Sequence, residues 1–225
     1  MSKIYIPATS AEQWKQLLAD PEKHWRQGYS ARTLANCWQE ADGFPTEIKA
    51  TLSASPYFHD IEMLLAIPEH QVSLPGGSRP SQNDIWVLAR AGNNLVSIAV
   101  EGKVSESFGP TIQEWRKDSS PGKDKRLTYL CNELGLVLSL PDGLRYQLIH
   151  RTASAIIEAK RFNASHAVML VHSFSQSDEC FQDYADFVSL FGGVVSVNRL
   201  VSVGARGTVS LHFAWVRGNA SFLKK

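Results

Sequence analysis

In a chain of 225 residues, 44% hydrophobic and 20% charged side chains give enough apolar material for a buried core and exclude a disordered polar tail. Lys+Arg 23 against Asp+Glu 22 leaves a formal charge of +1, so no global field draws the molecule onto nucleic acid or an anionic membrane. Three widely separated cysteines, Cys37, Cys131 and Cys180, exclude a disulfide framework and the paired spacing of a zinc site, and read as small buried hydrophobes.

Met1 to Pro7 has no apolar stretch long enough for export, and no run approaches the ~18 apolar residues of a membrane span. The expected location is the cytoplasm, with no membrane partner. The expected organisation is one domain over residues 1–225: a helical N-terminal elaboration (1–55), a core (56–175), and a C-terminal helix with further strands (176–225).

Taken in chain order, Ser10-Ala11-Glu12-Gln13 has the form of a capping box and predicts a helix through Leu18. A second helix starts at Ser30 with Leu34, Cys37 and Trp38 at helical spacing; Gly43 and Pro45 end it and begin another. The apolar run 61–67 reads as a buried strand stopped by Pro68, followed by a polar loop over 71–83. Two β-rich runs, 85–88 and 95–100, flank Ala91-Gly92-Asn93-Asn94, where Gly and Asn tolerate positive φ, so this segment predicts a hairpin.

Segments 110–115, 123–134 and 144–162 carry helical patterns, the last being the longest. The continuous apolar run 167–171 then predicts a strand with helices on both faces. Ser177-Asp178-Glu179 is expected to cap a helix whose Phe181, Tyr184, Val188 and Phe191 form an apolar stripe. Two strands, 194–203 and 208–216, joined through Gly204 and Gly207, complete an α/β pattern.

The chemistry concentrates at the hairpin. Glu101 and Lys103 alternate onto one strand face, and Asp84 stands before the facing strand. A turn at Gly92-Asn93 sets Asp84 opposite Glu101; a turn at Asn93-Asn94 sets it opposite Lys103. Two such carboxylates repel unless a cation lies between them, and oxygen ligands of this kind suit Mg²⁺, with Mn²⁺ as substitute. A neighbouring lysine can stabilise a developing anion and hold an attacking water.

This acid, acid, lysine arrangement resembles the PD-(D/E)XK nuclease superfamily over residues 61 to about 173, with Pro80 and Asp84 before Glu101-Gly102-Lys103. Pro80 departs from the superfamily pattern, where a proline directly precedes the aspartate. The Arg79-Pro80-Ser81-Gln82-Asn83-Asp84 segment and the Val100-Glu101-Gly102-Lys103 strand also resemble an uncharacterised bacterial domain family.

The resemblance implies a three-layer α/β/α, restriction-endonuclease-like core with a mixed sheet, and a metal-dependent phosphodiesterase acting on nucleic acid, DNA in particular. Asp84 and Glu101 would bind metal, with a carbonyl of Gly102, Ala99 or Val100 as a further ligand, and Lys103 would position water. Gln147 and Arg151 would border the site from the following helix, and Arg79 would contact a phosphate. An upstream acid, Glu47 or Glu62, could join the metal, and many nucleases of this kind are homodimers. The bare Glu-x-Lys pattern recurs in the helical segments Glu47-Ile48-Lys49 and Glu158-Ala159-Lys160, so the hairpin context carries the assignment. The alternatives are a non-catalytic binding or assembly module that keeps the fold, or a hydrolase of small phosphate esters.

Overall fold

Strands with apolar side chains on both faces need cover on each side, and this chain supplies a helical layer for each. A computed structural model describes residues 8–225; the reading of Met1 to Pro7 falls outside them. Four helices come first: α1 (Ala11–Trp14), α2 (Pro21–His24), α3 (Ser30–Glu40) and α4 (Thr46–Ser53). Strands β1 (Glu62–Val72), β2 (Ser81–Ala91) and β3 (Asn94–Lys103) follow, then helices α5 (Ile112–Arg116), α6 (Pro121–Leu134) and α7 (Tyr146–Arg161). Strand β4 (His166–Ser173), helix α8 (Phe181–Ser189) and strands β5 (Arg199–Arg206) and β6 (Val209–Arg217) complete the order.

The strands form one six-stranded sheet in the order β1-β2-β3-β4-β6-β5. The first three make an antiparallel meander, β3 and β4 are parallel through the α5–α7 crossover, β6 runs parallel to β4, and β5 lies antiparallel on the far edge. Successive residues along a strand point to opposite faces. Ala99, Met169, Val171, Phe213 and Trp215 accordingly enter the core beneath α6, α7 and α8. Ile98, Val100, Leu170, Ala214 and Val216 enter the core beneath α3 and α4. The result is a three-layer α/β/α fold in which the helical N-terminus forms one whole layer and the C-terminal strands extend the sheet. Among the described residues no helix is long and apolar enough to cross a membrane.

Several boundaries differ from the sequence reading. Pro68 does not stop β1: it pairs with Ile85 and the strand continues to Val72. β1 is an edge strand, where a residue without an N–H is tolerated. The expected loop thereby shrinks to residues 73–80. At α1, the Gln13 side chain accepts from the Thr9 amide at 2.7 Å, while Ser10 makes no capping bond. Ser177-Asp178-Glu179 is not the cap of α8 either; Cys180, at φ 65°, holds that position, and the Ser175 hydroxyl accepts from the amides of Ser177 and Glu179. Regular β5 begins only at Arg199, and Val194 is exposed.

The hairpin fixes the site. Ala91 pairs with Asn94 around Gly92-Asn93, with Gly92 at φ 55°, a conformation that glycine adopts without strain. Ile85 pairs with Val100, so Asp84, one step beyond, stands across from Glu101. This is the first of the two registers the sequence allowed.

Candidate functional site at the end of the hairpin

Alternation on β3 sends Glu101 and Lys103 to the α7 face, where α7 meets them with side chains one helical turn apart. Glu101 accepts from Lys103 Nζ at 2.9 Å through Oε1 and from Arg151 Nε at 2.7 Å through Oε2. Lys103 Nζ also donates to Gln147 Oε1 at 3.3 Å and lies 4.7 Å from the centre of the Phe108 ring. Arg151 reaches Ser81 Oγ at 3.3 Å, and that oxygen lies 2.7 Å from His150 Nδ1. Asp84 Oδ2 accepts the Gly102 amide at 2.7 Å. A Cβ at Gly102 would meet Asp84 Oδ2 at 3.3 Å and Leu34 at 3.0 Å, so this crowded position suits glycine.

These groups form the floor of a cleft of about 930 Å³. One wall comes from the N-terminal layer, with Leu18, Lys23, His24 and Tyr29; the other comes from residues 105–110. Glu101 is 2% exposed and Lys103 4%, so ionised groups lie at the base of a solvent-connected space.

The electrostatics of the floor are unbalanced. Burial works to raise the Glu101 pKa, yet Lys103 and Arg151 outweigh it and hold the group down at about 2. Burial and the Glu101 charge push Asp84 up to about 7. A third acid, Glu69 of β1, lines the same cleft, and burial together with Asp84 pushes it up to about 8. Its side chain accepts from Gln82 Nε2 at 2.7 Å, and its backbone sits at φ 53°, between the ladder pairs Pro68–Ile85 and His70–Asn83. Burial favours neutral His150, and Arg151 reinforces the effect.

Carboxylate oxygens are the ligands that Mg²⁺ takes, and three acids facing two cations leave negative charge that an ion would neutralise. Glu69, Asp84 and Glu101 do not bring three ligand atoms within 4.8 Å of one another, so an ion here would rest on a pair of carboxylates with water completing its shell.

The structure brings Asp84, Glu101, Lys103, Gln147 and Arg151 together. Arg151 is committed to Glu101 and Ser81, however, and is 7% exposed, which suits it to orient Glu101 more than to meet a polymer. Gly102 contributes its amide, donated to Asp84. Arg79 is exposed on the 73–80 loop, outside the cleft wall. Glu62 pairs with Arg90 at 3.0 Å near the hairpin turn, at the opposite end of the strands. Glu69 escaped the sequence reading because Pro68 was expected to end the strand. A glutamate directly after an edge-strand proline is the signal that could have raised it.

Glu47 joins a different cluster, in the N-terminal layer. Among the described residues, Cys37, Glu47 and His172 are the group of three whose ligand atoms lie within 4.8 Å of one another. His172 Nε2 lies 3.1 Å from Glu47 Oε1, and Cys37 Sγ lies 3.9 Å from the same oxygen. Trp38 Nε1 donates to His172 Nδ1 at 3.1 Å. That bond makes Nδ1 an acceptor and places the imidazole proton on Nε2, where a metal would have to bind. Burial and Glu47 also raise the Cys37 pKa, favouring the neutral thiol. The cluster is satisfied without an ion.

A family model described as Domain of unknown function (DUF6946) matches residues 7–220, and the chain belongs to that family. No curated protein and no solved structure matches it.

Proposed function

We propose that this member of the DUF6946 family is a metal-dependent phosphodiesterase of the PD-(D/E)XK nuclease type. The observation that carries the proposal is the placement of Asp84, Glu101 and Lys103 at the floor of the 930 Å³ cleft. Buried ionised groups cost free energy, and their presence in a cleft points to chemistry. The meander β1–β3, the α7 crossover and parallel β4 also follow the element order that the sequence resemblance implied.

Asp84 and Glu101 would hold Mg²⁺, or Mn²⁺ in its place. When bound, the ion supplies charge stabilisation at the phosphoryl oxygens and lowers the pKa of a ligated water. Arg151 and Lys103 hold the Glu101 carboxylate in one orientation from its two oxygens. Lys103, fixed in turn by Gln147, presents its ammonium where a water and a phosphoryl oxygen would meet. Lys103→Gln and Asp84→Asn are each expected to lower Mg²⁺-dependent turnover of a DNA oligonucleotide at least a hundredfold. Asp84→Asn is also expected to abolish Mn²⁺ binding by calorimetry. Unchanged turnover in both variants would remove the proposal.

A specific observation favours a second reading, the non-catalytic module. Both Glu101 oxygens are already paired, so the network is able to act as a clamp between β3 and α7. A clamp would show no Mn²⁺ binding sensitive to Asp84.

A further inference from the structure

We propose that the cleft takes the unpaired end of a nucleic-acid strand, one or two nucleotides at a time, with a base against Tyr29 and a phosphate beside Lys23. This rests on the phosphodiesterase reading and narrows its substrate.

The first argument is depth. Glu101 and Lys103 are 2% and 4% exposed, so a phosphodiester must enter the cleft to reach them. A volume of about 930 Å³ lies within the ~300–1,000 Å³ range of small-ligand sites. A strand end fits that space, whereas a duplex would need its backbone to enter with the base pairs still attached. The walls on both sides, residues 18–31 and 105–110, stand in the path of the partner strand.

The second argument is the chemistry of the outer wall. No carboxylate among the described residues pairs with Lys23, which leaves its ammonium for an anion at the mouth. Tyr29 is 46% exposed, and the Arg26 guanidinium stands 6.0 Å over its ring. An exposed ring beside cations is the arrangement by which proteins hold unpaired strands, stacking on bases and neutralising phosphates. A formal charge of +1 supplies none of the broad basic surface that tracks a duplex.

The hydrolysis balances simply. Water adds to phosphorus and gives up a proton to solvent, the P–O bond to the remaining strand breaks, and the departing oxygen leaves as a hydroxyl after taking a proton from solvent.

The test compares four DNA substrates of one composition with Mn²⁺ present: a linear unpaired 20-mer, its circularised form, a blunt duplex, and a dinucleotide. The expected result is cleavage of the linear strand from an end, and of the dinucleotide, with the circle and the duplex cut at least a hundredfold more slowly. Cleavage of the linear strand without the dinucleotide supports a strand end as the source of this chemistry, and cleavage of the dinucleotide alone overturns the inference in favour of a free dinucleotide. Cutting of the circle or the duplex within threefold of the linear strand overturns this inference and leaves the phosphodiesterase standing. Failure to cut any of them, with no Mn²⁺ binding, overturns both.

Tyr29→Ala supplies a second measurement. The KM of the abasic trinucleotide divided by that of the intact trinucleotide should shrink roughly tenfold, the scale of one lost stacking contact. An unchanged ratio overturns the placement of the base.

Discussion

Two clusters of titratable side chains sit on opposite faces of one sheet, and only on the cleft floor are carboxylates pushed towards their neutral forms. There, Glu69, Asp84 and Glu101 face Lys103 and Arg151, and burial together with repulsion between the acids pushes Asp84 and Glu69 towards their neutral forms. In the N-terminal layer, Trp38, His172, Glu47 and Cys37 form a continuous chain of donors and acceptors. The second cluster meets a distance criterion for metal ligands, and the first offers a cleft and carboxylates held near neutrality. Proximity of ligand atoms alone therefore does not mark a site; the direction of each proton decides.

The largest expected effect comes from Glu101→Gln. It removes the anion shared by Lys103 and Arg151 and leaves two buried cations, at a cost of about 3–5 kcal/mol. Urea denaturation reads that loss, and a cost below about 1 kcal/mol would show that the network carries little energy. His172→Phe on the other face leaves the Trp38 N–H without its acceptor, and is expected to cost about 1–3 kcal/mol without changing turnover. A matching loss of turnover would join the two regions that the comparison separates.

The pH dependence sharpens the contrast. Asp84 is raised from 3.8 to about 7 in the folded protein, so its contribution to stability is complete below pH 3.8 and is lost as pH rises through 7. Glu101 is lowered from 4.5 to about 2, so its contribution is present above pH 4.5 and lost as pH falls through 2. Asp84→Asn should therefore match the wild type near pH 4 and melt a few degrees higher at pH 8. Equal shifts at both pH values would show that burial and the Glu101 charge do not raise Asp84 in the folded protein.

Most of this site was legible because a hairpin is local. Gly92-Asn93 sets the register, the register sets Asp84 across from Glu101, and alternation carries Lys103 to the same face. Gln147 and Arg151 came from the superfamily resemblance, and their spacing of one helical turn sets them against Lys103 and Glu101. What the sequence hid depended on contacts distant along the chain. Nothing near Lys23 or Tyr29 announces that the N-terminal layer walls the cleft, since that contact depends on how α2 and α3 lie over the sheet. Glu47 was ambiguous for the same reason: its partner His172 lies 125 positions away. Glu69 needed a backbone at φ 53°, which a non-glycine residue seldom takes and which propensity does not foretell.

The smallest and most discriminating change is Trp38→Phe. A metal on His172 Nε2 requires the proton on Nδ1, and in the wild type that proton would point at the Trp38 N–H, setting donor against donor. Phenylalanine keeps the apolar ring in the core beside Phe44 and removes the donor, at an expected stability cost of about 1 kcal/mol. The imidazole is then free to exchange tautomers, and Cys37, Glu47 and His172 are left with the geometry of a partial zinc site. Zn²⁺ affinity, measured by competition with a chromophoric chelator, should rise at least tenfold over the wild type, the scale on which neighbours of ligands act. The gain should vanish in Trp38→Phe combined with Cys37→Ser. Equal zinc affinity in the wild type and Trp38→Phe would mean that the tautomer does not hold this cluster closed, and the contrast with the cleft would then rest on access alone.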